Sequence, residues 1–244
     1  MSREPPAITG YLNFRDVGGH ATPNGTVRYE QVYRSDTLSH CNPDEIAHLV
    51  EARGVRAIID LRHGDEIAST PLTTLEAAGV TVHHVPLVDP ARSNWQPLEA
   101  SASLGERYEF MLETAGDQFT AALRLIADDS QRPVVFQCMA GKDRTGLLAA
   151  VLLGLLGVDD ETIAMDYART SEALPAMMAR WEARGSTYDP EVIRPYLTAD
   201  AATMHHALGA IRKGHGTIER YTLDHGLSPD EISALRAKLI DTSS

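Results

Sequence analysis

The chain has 244 residues, enough for one large hydrophobic core, and its 43% hydrophobic and 23% charged residues are those of a globular protein. A formal net charge of -12 argues against nucleic acid or an anionic membrane surface as a bulk partner, so an anionic substrate needs a locally positive pocket. Two cysteines make no disulfide framework, no stretch reads as an integral membrane segment, and no apolar run of signal-peptide type follows Met1-Ser2-Arg3-Glu4-Pro5-Pro6, so a cytoplasmic protein is expected.

Turns are expected at Gly18-Gly19 and Pro23-Asn24-Gly25, with strands around Val27-Arg28-Tyr29 and Val32-Tyr33 meeting at a hairpin. Asn42 reads as a helix cap: Pro43 takes the first helical position, Asp44 and Glu45 sit in the first turn, and Ile46, Leu49 and Val50 share an apolar face until Gly54 ends the helix. Val55 to Leu61 is an apolar run of strand length. A second helix over Pro71 to Ala78, closed by Gly79, leads to a strand over Val80 to Val88. Asp89 to Asn94, beside Trp95, reads as a loop at a strand end, where function gathers. A helical region from about Leu98 to Ala127 is interrupted near Gly105 and Gly116.

Pro133 to Gln137 is a strand, and Thr145 to Leu156 an apolar helix. After Asp159 the pattern is helical throughout: Glu161 to Ala183, Asp189 to Leu197, Ala201 to Ile211, Gly216 to His225, and Pro229 to Leu239 behind a capping box of Ser228 and Glu231. The order predicts one α/β domain over residues 1–244, a central mostly parallel twisted sheet flanked by helices, with residues 159–244 a mainly helical part of it.

The run Gln137-Cys138-Met139-Ala140-Gly141-Lys142-Asp143-Arg144-Thr145-Gly146 joins that strand to that helix. Such a loop aims the backbone N–H groups of Met139, Ala140, Gly141 and Lys142 at one point, where the helix dipole adds positive charge, and so forms an anion site. The same field favours the thiolate of Cys138, a nucleophile toward phosphorus. Arg144, in the first helical turn, can hold two phosphoryl oxygens with its planar fork. Gly141 permits the close turn, Thr145 can offer a hydroxyl to the sulfur, and Lys142 adds a cation to the phosphate site.

A general acid must protonate the leaving oxygen and then activate water; Asp143 is the favoured candidate and Asp89 the reserve. Isolated Cys-x5-Arg spacing is common by chance, but the whole string in strand-loop-helix context is specific. It is no nucleotide P-loop, since Lys142 is followed by Asp143 rather than by Ser or Thr.

The string resembles the loop of the bacterial protein-tyrosine phosphatases of the mycobacterial phosphatase B type, His-Cys-x-x-Gly-Lys-Asp-Arg-Thr-Gly. The resemblance extends through Asn13-Phe14-Arg15-Asp16-Val17-Gly18-Gly19, Tyr33-Arg34-Ser35, Leu38-Ser39, Asp60-Leu61-Arg62 with Glu66, and Asp166-Tyr167 with Arg169. It implies a cysteine-phosphatase-like fold with a helical lid, and hydrolysis through a phosphocysteine without cofactor or metal. It also implies phosphotyrosine proteins or peptides as substrates, with phosphoserine, phosphothreonine and phosphoinositides as further ones. Asp143 matches that family's acid, and Lys142 the lysine linked to highly charged lipid headgroups. Gln137 departs from the family's His and, being uncharged, gives the thiolate less help.

Weaker readings stand beside these. Arg15, Asp16 and Arg62 either brace the catalytic loop or hold the fold by buried salt bridges. Cys41 reads as a small buried hydrophobe, and the paired histidines at 83, 84, 205 and 206 lack metal-site spacing. Met177, Met178, Trp181 and Tyr188 read as core, or else line the pocket entrance. Competing functions are a non-catalytic phosphate-binding module and sulfur transfer through a persulfide.

Overall fold

The computed structural model describes residues 10–87, 102–183 and 198–243. Asp89 with its loop, Trp95, Tyr188 and the helix expected over 189–197 lie outside them. Three short strands, β4 (Val32–Ser35), β5 (Ala57–Asp60) and β7 (Val134–Gln137), are buried along their whole length, as parallel strands covered on both faces must be; each begins apolar and ends on a buried polar residue. β7 lies between β4 and β5 and parallel to both, β6 (Thr81–His84) extends the sheet beyond β5, and β1 (Arg15–Asp16) closes the other edge antiparallel to β4.

Alternation along these strands assigns each side chain to a layer. Val32, Ala57, Ile59, Val134 and Phe136 enter the larger core, while Tyr33, Ile58 and Val135 enter the smaller one. The smaller layer is covered by Ile46 of α1 (Pro43–Ala47), by Leu49, and by Leu72 and Leu75 around α3 (Thr73–Ala77). The larger is covered by α4 (Leu104–Thr114), α5 (Gly116–Ala127), α6 (Asp143–Leu156), α7 (Asp160–Ala168) and the helices Ala201–His215, Ile218–Asp224 and Pro229–Leu239. α6 is apolar around nearly its whole circumference and runs through the middle of this core. The larger core reaches from Val17 to Ile240, so early strands and late helices share it. Among the described residues no helix is long and apolar enough to cross a membrane.

The expected start of α1 is present: the Asn42 side chain accepts from the Glu45 N–H, and the Glu45 carboxylate accepts from the Asn42 N–H. A π-helical turn, His48–Ala52, continues it to Gly54. α4 and α5 part at Gly116, whereas Gly105 sits in the first turn of α4 without breaking it. The Ser228–Glu231 capping box forms.

Other expectations change. The hairpin at Pro23-Asn24 joins β2 (Ala21–Thr22) to β3 (Gly25–Val27); Val32 and Tyr33 instead enter the central sheet, where each is buried in one of its two layers. The free edge of β3 pairs with β8 (Ile240–Asp241), a strand within the stretch read as wholly helical. The helix expected from Glu161 to Ala183 divides at Arg169 into α7 and α8 (Thr170–Ala183). A short helix, α2 (Gly64–Ser69), fills the segment after Arg62.

Candidate active site

The central strands end flush, with Ser35 and Asp60 both opposite Gln137. The chain runs outward from β4 through β5 to β6 and then returns to β7 between them, so the carboxyl end of β7 is the switch point where open α/β sheets form their ligand crevice. Cys138 stands there, 2% exposed, and the loop from it enters α6. Gly141 takes a φ of +63°, and a Cβ on it would lie 2.5 Å from the Asp36 nitrogen and the Ser35 oxygen. Only glycine allows this approach.

The loop carbonyls are pinned from outside. Met139 O accepts from the Thr37 N–H at 3.2 Å. Ala140 O and Gly141 O accept from the Asn13 amide at 3.3 and 2.9 Å, and Gly141 O also accepts from Arg34 Nη2 at 3.1 Å. In a trans peptide the N–H points opposite to the C=O, so pinning these carbonyls turns the next three amides, of Ala140, Gly141 and Lys142, the other way. That arrangement is an anion nest at a helix N-terminus.

Behind the loop sits a buried charge cluster. Arg34 Nη1 donates to Asp166 Oδ2 at 2.8 Å and Arg15 Nε to Asp166 Oδ1 at 2.9 Å, while Arg15 Nη1 also donates to Asn13 Oδ1. Burial, and next the like charge of Arg15, pull the Arg34 guanidinium down to about 10 against the pull of Asp166. Burial works to raise the Asp166 carboxyl, but Arg34 and Arg15 outweigh it and hold it at about 2. The Arg34–Asp166 pair therefore stays ionised at neutral pH.

Arg62, fully buried, grips Asp60 at 2.9 and 2.7 Å and reaches Thr37 Oγ1 at 3.3 Å. Arg15 and Arg62 thus meet the loop at one remove, through Asn13 and Thr37. Asp16 does not: its carboxylate accepts from the Gly18 and Glu30 N–H groups, both at 2.7 Å, and ties a turn instead. Gln137 accepts from the Leu38 N–H at 2.6 Å through Oε1 and so orders the segment after β4.

Arg144 is held by Glu66 of α2, with which it makes two hydrogen bonds, and Nη1 also reaches Leu61 O at 3.4 Å. Asp143, its side chain 36% exposed, accepts from Tyr108 Oη at 2.6 Å and lies 3.3 Å from Lys142 Nζ, which also donates to Thr198 O at 3.2 Å. Thr145 Oγ1 is buried with no hydrogen-bond partner among the described residues, as a hydroxyl kept for a ligand or a sulfur would be. Cys41 is half-buried, and burial, Glu45 and Asp36 push its thiol up to about 12, which suits a packing role. Met177 is fully buried, while Met178 and Trp181 are half-buried.

Cys138, Met139, Ala140, Gly141, Lys142, Asp143, Arg144 and Thr145 are therefore contiguous in space as well as in sequence. The supports that motif reading passes over are Asn13, Arg34, Thr37, Glu66 and Asp166, together with Tyr108. The first five lie in or beside the segments that resemble the phosphatases; Tyr108 carries no such signal.

A family model described as the tyrosine phosphatase family matches residues 6–241. This chain belongs to that family. The triple specificity protein phosphatase PtpB of Mycobacterium tuberculosis is 26% identical over 96% of this chain and 98% of its own length. A tyrosine-protein phosphatase of Nostoc commune is 32% identical, covering 83% of this chain and 70% of that protein. Among solved structures, the catalytic core of Siw14 is 20% identical, with 78% of this chain and 92% of that one covered at a TM-score of 0.45.

Proposed function

We propose that this tyrosine phosphatase family member hydrolyses phosphomonoesters, phosphotyrosine in proteins or peptides first among them, through a covalent Cys138 intermediate. The single observation that carries the reading is the loop itself: a buried cysteine at a strand end, amides turned inward by pinned carbonyls, and Arg144 held at its rim.

The Cys138 thiolate attacks phosphorus, the bond from phosphorus to the ester oxygen breaks, and Asp143 gives that oxygen its proton. Water then attacks the phosphocysteine while the Asp143 carboxylate takes its proton; the Thr145 hydroxyl donates to the departing sulfur and inorganic phosphate leaves. Met139, Ala140, Gly141 and Lys142 supply amides to the equatorial oxygens, joined by the Arg144 fork. Gln137, Arg15 and Arg62 act behind them, and Asp89 is the acid if Asp143 is not.

Two features support a range beyond phosphotyrosine, to phosphoserine, phosphothreonine and phosphoinositides. Lys142 is a second cation at the loop, and the mycobacterial relative bears the name triple specificity. Residues 1–244 are taken as one phosphatase domain, with 159–244 its helical part, in keeping with the shared core.

The test is Cys138→Ser with phosphotyrosine peptide, phosphothreonine peptide and phosphoinositide as substrates. Loss of phosphate release on all three, with a phosphocysteine trapped in the wild-type enzyme, is expected; full activity in Cys138→Ser would sink the reading.

A further inference from the structure

We propose that Tyr108, backed by Tyr167, is a positioning residue for Asp143, turning its carboxyl so that Oδ2 carries the proton to the leaving oxygen. The inference rests on the reading of Asp143 as general acid and goes beyond it by naming what aims that acid and which of its oxygens acts.

Tyr108 lies on α4 and Tyr167 on α7, both buried, their rings edge to face with centroids 6.0 Å apart. Tyr108 Oη is 2.6 Å from Asp143 Oδ1 and 2.7 Å from Tyr167 Oη. A phenol has one proton to give. Tyr108 gives its proton to the carboxylate, so the proton between the two phenols belongs to Tyr167, and the chain of donation runs from Tyr167 through Tyr108 to Asp143. Each bond in such a chain polarises the next.

Lys142 Nζ also approaches Oδ1, at 3.3 Å. Among the described residues both polar partners of Asp143 therefore take the same oxygen, and Oδ2 is the one left for the reaction. The relay itself is a fixed donor: burial first, then the neighbouring Asp143 and Tyr167, push the Tyr108 phenol well above its ordinary range, and burial likewise raises Tyr167.

The seat of Tyr167 is built into the loop motif. A Cβ on Gly146 would stand 2.9 Å from Tyr167 Cδ2, so the glycine that ends the motif makes room for this ring against α6. Gly146 thus serves the acid through the two intervening tyrosines.

The experiment compares Tyr108→Phe with wild type on phenyl phosphate, whose leaving group needs a proton, and on 2,4-dinitrophenyl phosphate, whose leaving group does not. General acid catalysis is worth about 10²–10⁴-fold. A misaimed acid is expected to forfeit about tenfold of that in kcat/KM on phenyl phosphate, and less than about twofold on the dinitrophenyl ester.

In an Asp143→Asn background Tyr108→Phe should cost nothing further on phenyl phosphate. Equal losses on both esters, or a further loss in that background, would overturn the proposal. Should Tyr108→Phe fail to fold, Tyr167→Phe, which keeps the bond to Asp143 but removes its support, should show the same selectivity at about threefold; equal losses there overturn it too. An Asp143→Asn variant without leaving-group dependence sinks the reading of the acid itself. A dependent Asp143→Asn beside an indifferent Tyr108→Phe sinks this proposal alone.

Discussion

Arg144 and Glu66 meet at two points, Nη1 on Oε2 at 2.6 Å and Nη2 on Oε1 at 2.8 Å, across 78 positions of sequence. Burial, the largest influence on each, opposes both charges, but the paired hydrogen bonds and charges win and hold Glu66 below the usual carboxylate range and Arg144 above its own. The planar fork of Arg144 is thereby aimed in advance.

Arg144→Lys keeps the charge and loses the fork, so kcat/KM on a phosphotyrosine peptide should fall about 10²-fold. Glu66→Ala should cost about tenfold, since the guanidinium remains but its aim does not. Steady-state kinetics on the peptide check both. The lowered Glu66 contributes stability above its ordinary range and loses it as pH falls through the lowered value, so Glu66→Gln should flatten the acid end of the unfolding profile.

Asp166→Asn strands two arginines whose side chains are 1% and 9% exposed. Breaking one partner out of a buried ion cluster costs about 3–5 kcal/mol, and chemical denaturation should read a loss of that order. Adding Arg34→Met should recover part of it, because the uncompensated charge leaves with the side chain.

Much of this was legible where the signal is local. The helix cap at Asn42, the capping box of Ser228 and Glu231, the strand over Val55 to Leu61 and the run from Gln137 to Gly146 are each contiguous, and contiguous residues carry their geometry with them. The supports of the loop are different in kind. Asn13 meets Gly141 across 128 positions and Arg34 meets Asp166 across 132, and no spacing rule links residues so far apart. Tyr108 looks like any core residue of an amphipathic helix, since only the fold brings its hydroxyl to Asp143. Two-residue strands such as β1 and β8 are shorter than any periodicity, which is why the edge pairing of β3 went unread.

Gly141→Ala puts a Cβ against the Asp36 nitrogen and the Ser35 oxygen at a φ that side chains disfavour. Strain of this kind costs about 1–3 kcal/mol, and the loop can relieve it only by giving up its hydrogen bonds from Asn13 and Arg34. Thermal unfolding should therefore shift down and phosphate release should fall together.

Asp36 is buried under α8, where Arg180 donates to its carboxylate, and burial raises that carboxyl to about 7 against the opposing pull of Arg180. A raised carboxyl contributes stability that is complete below its ordinary value of about 3.8 and is lost as pH rises through about 7. Asp36→Asn removes this dependence. Its melting temperature relative to wild type should climb between roughly pH 4 and pH 7; a constant difference would refute the account.

The alternation of β7 makes position parity a hidden part of the loop. Val134, Phe136 and Cys138 belong to one layer and Val135 to the other, so one residue inserted within Val134–Gln137 would deliver the sulfur to the wrong side of the sheet while leaving the motif spelled correctly. The turn Asp129–Gln131 lies upstream of the strand and carries no such phase. Length can change there without moving the Cys138 sulfur, whereas between Val134 and Cys138 only paired changes keep it in place.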